Sequence, residues 1–176
     1  ATAENLTSGI HNFYAKVHNS SGFVTTNSVQ VVVGEQKPYL NQPFQIPGTI
    51  QAGNYDYFEG GKGQDISYFD STVGNSGAED SDFRTDEYVD AVSDAEGETV
   101  GWIEAGEWLE YTIDVTQSGY YKMDFRYATE NNSGGPFNLE LDGQQVASNI
   151  TVSSTGKWDA WATKSVNGIP LIQGEH

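Results

Sequence analysis

"VGWIEAGEWLEYTIDV", residues 100–115, carries two patterns at once. From Leu109 onward the apolar residues alternate. Leu109, Tyr111, Ile113 and Val115 fall on one side, and Glu110, Thr112 and Asp114 on the other. A period of two belongs to a strand with one dry and one wet face. Ahead of that strand, five residues separate two indoles, Trp102 and Trp108, among Gly101, Gly106 and several glutamates. Trp108 leads straight into the inward run and reads as a core or edge-packing indole. Trp102 follows Gly101 in the preceding loop and reads as exposed.

The alternation continues downstream. In "YKMDFRYA" (121–128), Tyr121, Met123, Phe125 and Tyr127 face away from Lys122, Asp124 and Arg126. In "FNLELDG" (137–143), Phe137, Leu139 and Leu141 alternate with Asn138, Glu140 and Asp142. Turn signals fall at "TQSG", "ENNSGGP" and "DGQQ". No segment sustains a 3.6-residue period. Antiparallel strands with one wet face stack in layers, so the expected fold class is all-β, a β-sandwich. Upstream, 12–17 and 28–33 read as two strands joined through "HNSSGFVTT". That pair resembles the last two strands of the bacterial immunoglobulin-like domains that sit between modules of secreted enzymes. Residues 34–49 hold three of the five prolines and read as a linker. The expected division is a two-strand remnant (1–33), a linker (34–48) and the main module (49–176).

Composition narrows the partners. The 176 residues carry 8 basic against 25 acidic side chains, a formal charge of −17. Such a chain repels nucleic acid and anionic membrane surfaces, so neither is an expected partner. No apolar run approaches the roughly 20 residues of a membrane span. With no cysteine there is no disulfide framework, zinc–thiolate site or thiol nucleophile. Twenty glycines, ten tyrosines and four tryptophans suit a β protein rich in turns.

A second indole pair lies in "TGKWDAWATKSV" (155–166). Trp158 and Trp161 have opposite strand parity, and Trp158, next to the turn Gly156-Lys157, reads as the presented one. Together with "IPGTIQA" (46–52), "GNSG" (74–77), "VGWIEAGEWLEYTIDV", "SGYYKMDFRYA" (118–128) and "LELDG" (139–143), this element resembles the family 6 carbohydrate-binding modules. The resemblance spans residues 46–176 and implies a jelly-roll, lectin-like β-sandwich attached to a polysaccharide-degrading enzyme. It implies a sugar cleft in which two aromatic residues, here Trp102 and Trp158, grip a pyranose. It implies an acidic contact to a hydroxyl, whose nearest match is Asp90. It also implies a structural calcium at an "EAE" element that reads Gln51-Ala52-Gly53 here, leaving Gln51 as the side-chain ligand. The chain departs from the family pattern in stopping at "QGEH", so the module is expected to lack its last strands, with complementation by other strands favoured. The insertion "AEDSDFRTDEY" (78–88) is longer and more acidic than the pattern, and residues 79–90 read as a solvated acidic loop, with a calcium held by some of these oxygens as the alternative.

The axial C–H bonds of a β-pyranose form an apolar, slightly positive face on which an indole can stack. The expected function is therefore non-catalytic polysaccharide binding in an extracellular or cell-surface protein, the ligand an algal laminarin-type β-glucan or agar. A glycoside hydrolase domain and an adhesive sandwich without sugar binding are the alternatives. Hydrolysis needs two carboxylates roughly 5–10 Å apart across the scissile bond. Among 25 acidic residues, Glu104 and Glu107 are close in sequence, but they sit in a loop that the resemblance matches to a structural part of the module. His11, His18 and His176 show no metal-ligand spacing.

Overall fold

The computed structural model describes residues 5–20, 22–25 and 28–176, with backbone alone for 16–19 and 23–25. The chain divides into two compact units, Ala1–Phe44 with Gly48–Thr112, and Gln45–Pro47 with Ile113–His176. Among the described residues the regular elements are strands and two short 3-10 turns, the all-β class read from the alternation.

In the first unit, β1 (Gly9–Phe13) and β4 (Val29–Val33) form an antiparallel ribbon with Phe13 opposite Val29. Between them β2 (Lys16–Asn19) pairs with β3 (Gly22–Thr25). The strand expected at 12–17 is thus interrupted at Tyr14–Ala15. Its expected connection, 18–26, holds much of a second strand pair, with Ser21 and Thr26 outside the described residues. Residues 1–4 and Asn27 also lie outside them. The ribbon leaves Ile10, Val29, Val31 and Val32 exposed.

The stretch expected as a linker is woven into sheets. It contributes β5 (Gln36–Lys37), a 3-10 turn at Tyr39–Asn41 and β6 (Phe44–Ile46). Pro38, Pro43 and Pro47 each remove one N–H donor, but the residues between them keep theirs and can still pair. β5 runs antiparallel to β7 (Tyr57–Phe58). The Gln36 amide reaches onward and donates to Asp56 (3.0 Å) and Glu110 (2.8 Å).

Further along, β8 (Tyr68–Phe69) pairs with β11 (Trp108–Leu109), and β9 (Ala91–Asp94) with β10 (Gly97–Val100). Successive strand residues face opposite ways, so with Leu109 turned in, Trp108 turns out. Trp108 is 38% exposed, which removes the core reading and leaves the edge-packing one. The run through Val115 is also two strands, since a separate strand, β12 (Ile113–Val115), follows β11. At the break, the fully buried Asp56 carboxylate accepts the Thr112 N–H (2.9 Å) and hydroxyl (2.6 Å), so a side chain stands in for the ladder.

Tyr55, Tyr68 and Val89 form the core of this unit, with the two tyrosine rings edge to face at 5.4 Å. Burial drives the Tyr68 hydroxyl's pKa far above its ordinary value, and that neutral hydroxyl accepts the Tyr88 N–H. The insertion 78–88 is not a solvated loop throughout. Arg84 sits 3.4 Å from the centre of the Tyr55 ring. Its guanidinium donates to the carbonyls of Tyr55 (2.5 Å) and Asp56 (3.1 Å) and reaches that of Gly53 (3.5 Å). Glu87, buried, lies 3.7 Å from Arg84 and accepts the Gly63 N–H (3.2 Å).

The second unit is built on long ladders. β13 (Gly119–Tyr127) pairs antiparallel with β16 (Ala162–Leu171), and β14 (Ser133–Leu141) with β15 (Gln144–Ser153). β17 (Gly174–Glu175) and β6 flank β12 (Ile113–Val115) in a three-stranded sheet. Val115, Ile150 and Ile169 are buried, and Phe125 meets Phe137 edge to face at 5.1 Å.

Arg84→Met should cost about 3–5 kcal/mol, because it strips Glu87 of its counter-charge and the carbonyls of their donor. Urea melts of the two proteins measure this directly, and equal stability would mean that the insertion is not anchored by Arg84.

Candidate functional site

Trp102 is 58% exposed and has φ +49°. A bulky side chain at positive φ is strained by roughly 1–3 kcal/mol and persists only where its surroundings dictate it. Here they do. The Gly101 N–H donates to the Asp90 carbonyl (2.9 Å) at the start of the loop. At its far end the Glu107 carboxylate accepts the Glu104 N–H (2.8 Å) and the Ser71 N–H (3.1 Å). The Ser71 hydroxyl bridges Glu107 (2.8 Å) and Glu104 (3.0 Å). Both carboxylates therefore hold the loop in place.

Asp90 is buried, and its carboxylate accepts the Ser76 N–H (2.5 Å). Beside that bond, the Asn75 side chain accepts the Gly77 N–H (2.6 Å) and donates to Ala91 (3.0 Å) and Phe83 (3.2 Å). Asp90 thus lies beneath the loop, tying 75–76 to Gly101, instead of presenting its carboxylate at the surface. Nearby, burial raises the Asp70 carboxyl above the usual carboxylate range, with the charges of Glu107 and Asp90 pushing the same way against hydrogen bonds from Thr72.

In the second unit Trp158 is 60% exposed. Its loop is locked to Thr129, whose N–H donates to the Thr155 hydroxyl (2.9 Å) while the Thr155 N–H donates to the Thr129 carbonyl (2.9 Å). Gly156 takes φ +83° at the turn, and its N–H donates to Ser154 (3.1 Å). Trp161 is partly buried, with the Arg126 guanidinium 4.0 Å from its ring.

Around Gln51 the oxygens free for a calcium are few, although the side-chain oxygen of Asn54 is buried without a hydrogen-bond partner. Gln51 is exposed and offers a neutral amide oxygen. Its carbonyl already accepts the Asn54 N–H (3.0 Å), the Ala52 carbonyl the Tyr111 hydroxyl (2.7 Å), and the Gly53 carbonyl is approached by Arg84. Calcium takes about 6–8 oxygens, commonly including carboxylates. Among the described residues no three His, Asp or Glu side chains gather as metal ligands. The nearby guanidinium repels a second cation.

Sequence reasoning missed Arg84, Glu87 and Asn75. A lone arginine inside an acidic run was the available signal, since an isolated opposite charge tends to be paired.

Two exposed indoles on separately braced loops of an all-β chain describe a lectin-like binding module. Residues 75–176, more than half of the chain, match the family described as carbohydrate binding module (family 6). The chain belongs to that family. It is 37% identical over 62 residues to an exo-β-D-glucosaminidase of Amycolatopsis orientalis, covering 35% of this chain and 6% of that one. It is 38% identical over 71 residues to the clotting factor G alpha subunit of Tachypleus tridentatus, covering 39% and 10%. It is 30% identical over 67 residues to the β-agarase AgaA of Microbulbifer thermotolerans, covering 38% and 15%. The chain thus spans a small fraction of the length of these relatives.

Thermal melts in excess EDTA and in millimolar calcium should coincide. An ion bound only by the native state would raise the melting temperature by mass action, so a separation of several degrees would restore calcium to this module.

Proposed function

We propose that the module binds a neutral algal polysaccharide, agar or a laminarin-type β-1,3-glucan, and holds an appended secreted enzyme against it without hydrolysing it. Trp102 carries this reading, as a strained, exposed indole on a loop whose polar groups are already committed to bracing it. An indole so held gains contact area on a sugar face with little ordering cost. Trp158 supplies a second such face. Asp90 acts on binding through the position of Gly101. Two relatives are named β-agarases, which favours agar between the two polymers. A polymer substrate lies outside the cell, which makes the parent protein secreted or surface-borne. Most sugar hydroxyls stay hydrated, so affinity is of the order of −4 to −8 kcal/mol per site.

Affinity electrophoresis in agarose, laminarin, xylan and barley glucan tests the ligand. Trp102→Ala and Trp158→Ala should each weaken retention by at least about 1 kcal/mol, roughly fivefold. Unchanged retention of Trp102→Ala in every gel would remove that indole from the site. The chain by itself should release no reducing ends from agarose or laminarin. Release abolished by Glu104→Gln or Glu107→Gln would make it a hydrolase.

A further inference from the structure

A cavity of about 410 Å³ opens in the first unit between the turn Tyr39–Asn41, strand β7 and residues 83–87. Ligand sites occupy roughly 300–1,000 Å³. Four aromatic residues, Tyr39, Tyr57, Phe58 and Phe83, line it. None of its lining residues belongs to the 101–107 loop, and Tyr39, Asn41 and Tyr57 precede the residues matched to the family. We propose that this cavity is a second saccharide site, taking one or two neutral pyranose units.

The chemistry selects that ligand. The rings offer faces on which a pyranose can stack. The Tyr57 hydroxyl donates to Asn41 Oδ1 (2.6 Å), which leaves its oxygen as an acceptor and the Asn41 amide as a donor at the rim. Asp86, exposed, adds a carboxylate acceptor. Sugar hydroxyls both donate and accept, and this mixed set serves them. An anionic ligand is disfavoured. The Arg84 guanidinium is committed to backbone carbonyls and faces Glu87, so it offers little to a phosphate or sulfate.

The rim is also preset. Leu40 and Asn41 take successive left-handed conformations, φ +53° and +58°. The Asn41 N–H donates to the Pro38 carbonyl (2.8 Å) and the Gln42 N–H to that of Tyr39 (3.1 Å). The turn is therefore shaped before a ligand arrives. The choice of a saccharide over another neutral polyol rests on the carbohydrate-binding function proposed above.

Nitrogen-15-labelled chain titrated with neoagarohexaose, and separately with laminarihexaose, tests this site. The backbone amides of Tyr39, Asn41, Tyr57 and Asp86 should shift, and the indoles of Trp102 and Trp158 should shift with a different midpoint. Tyr39→Ala and Asp86→Ala should each weaken the first set at least about tenfold and leave the indole titration unchanged. Asp86 is exposed, so its loss cannot be mistaken for misfolding. Indole shifts with a silent cavity would overturn the second site and leave the proposed function standing. Cavity shifts with silent indoles would support the second site and remove the tryptophan platform. Silence of both sets toward both saccharides would overturn both. Cavity shifts untouched by either variant would overturn the second site alone.

Discussion

A single guanidinium, its side chain 10% exposed, organises the first unit. Arg84 lies against the face of Tyr55 and collects carbonyls from the backbone around it. Buried carbonyls need donors, and a planar fork with five N–H groups serves several of them at once. Its charge is met by Glu87, which in turn holds Gly63. Lysine, a single ammonium on a flexible stem, cannot span these acceptors. The arginine brings positive charge to the region where the family resemblance puts a metal, and beside it Glu87 is buried and Tyr88 packs against the core.

Around that centre, order spreads through polar side chains more than through long ladders. Asp56 joins Gln36 to Thr112, Asn75 joins three backbone segments, and Asp90 joins Ser76 to Gly101. Strands of two to five residues bury little apolar area, so these bonds set much of the geometry of the first unit. The second unit works the other way. Its nine- and ten-residue strands specify themselves by alternation, and the loop that carries Trp158 is held by the Thr129–Thr155 exchange.

That contrast explains what was legible in the sequence. Tyr121, Phe125, Phe137 and Leu139 could be placed from period-two spacing because a long strand repeats its signal. Exposure of Trp102 and Trp158 followed from glycines beside them. For Trp108 the sequence left core and edge packing open, and pleat geometry decides against the core, because a residue next to an inward run points to the opposite side. The prolines of 34–48 suggested a linker, yet β5 and β6 use residues between them. Arg84, Asn75 and the burial of Asp90 depend on contacts between residues far apart in sequence, and no local pattern encodes those.

The left-handed backbone at Trp102 has a thermodynamic corollary. Strain held in the free protein is settled during folding and is absent from the balance at the moment of contact. Recognition should then resemble the meeting of two rigid surfaces, with little loop rearrangement and a negative heat-capacity change proportional to the apolar face covered. A weak grip of that kind releases quickly. On the proposed polymer, which offers the same unit again and again, quick release would let an appended enzyme advance from one position to the next.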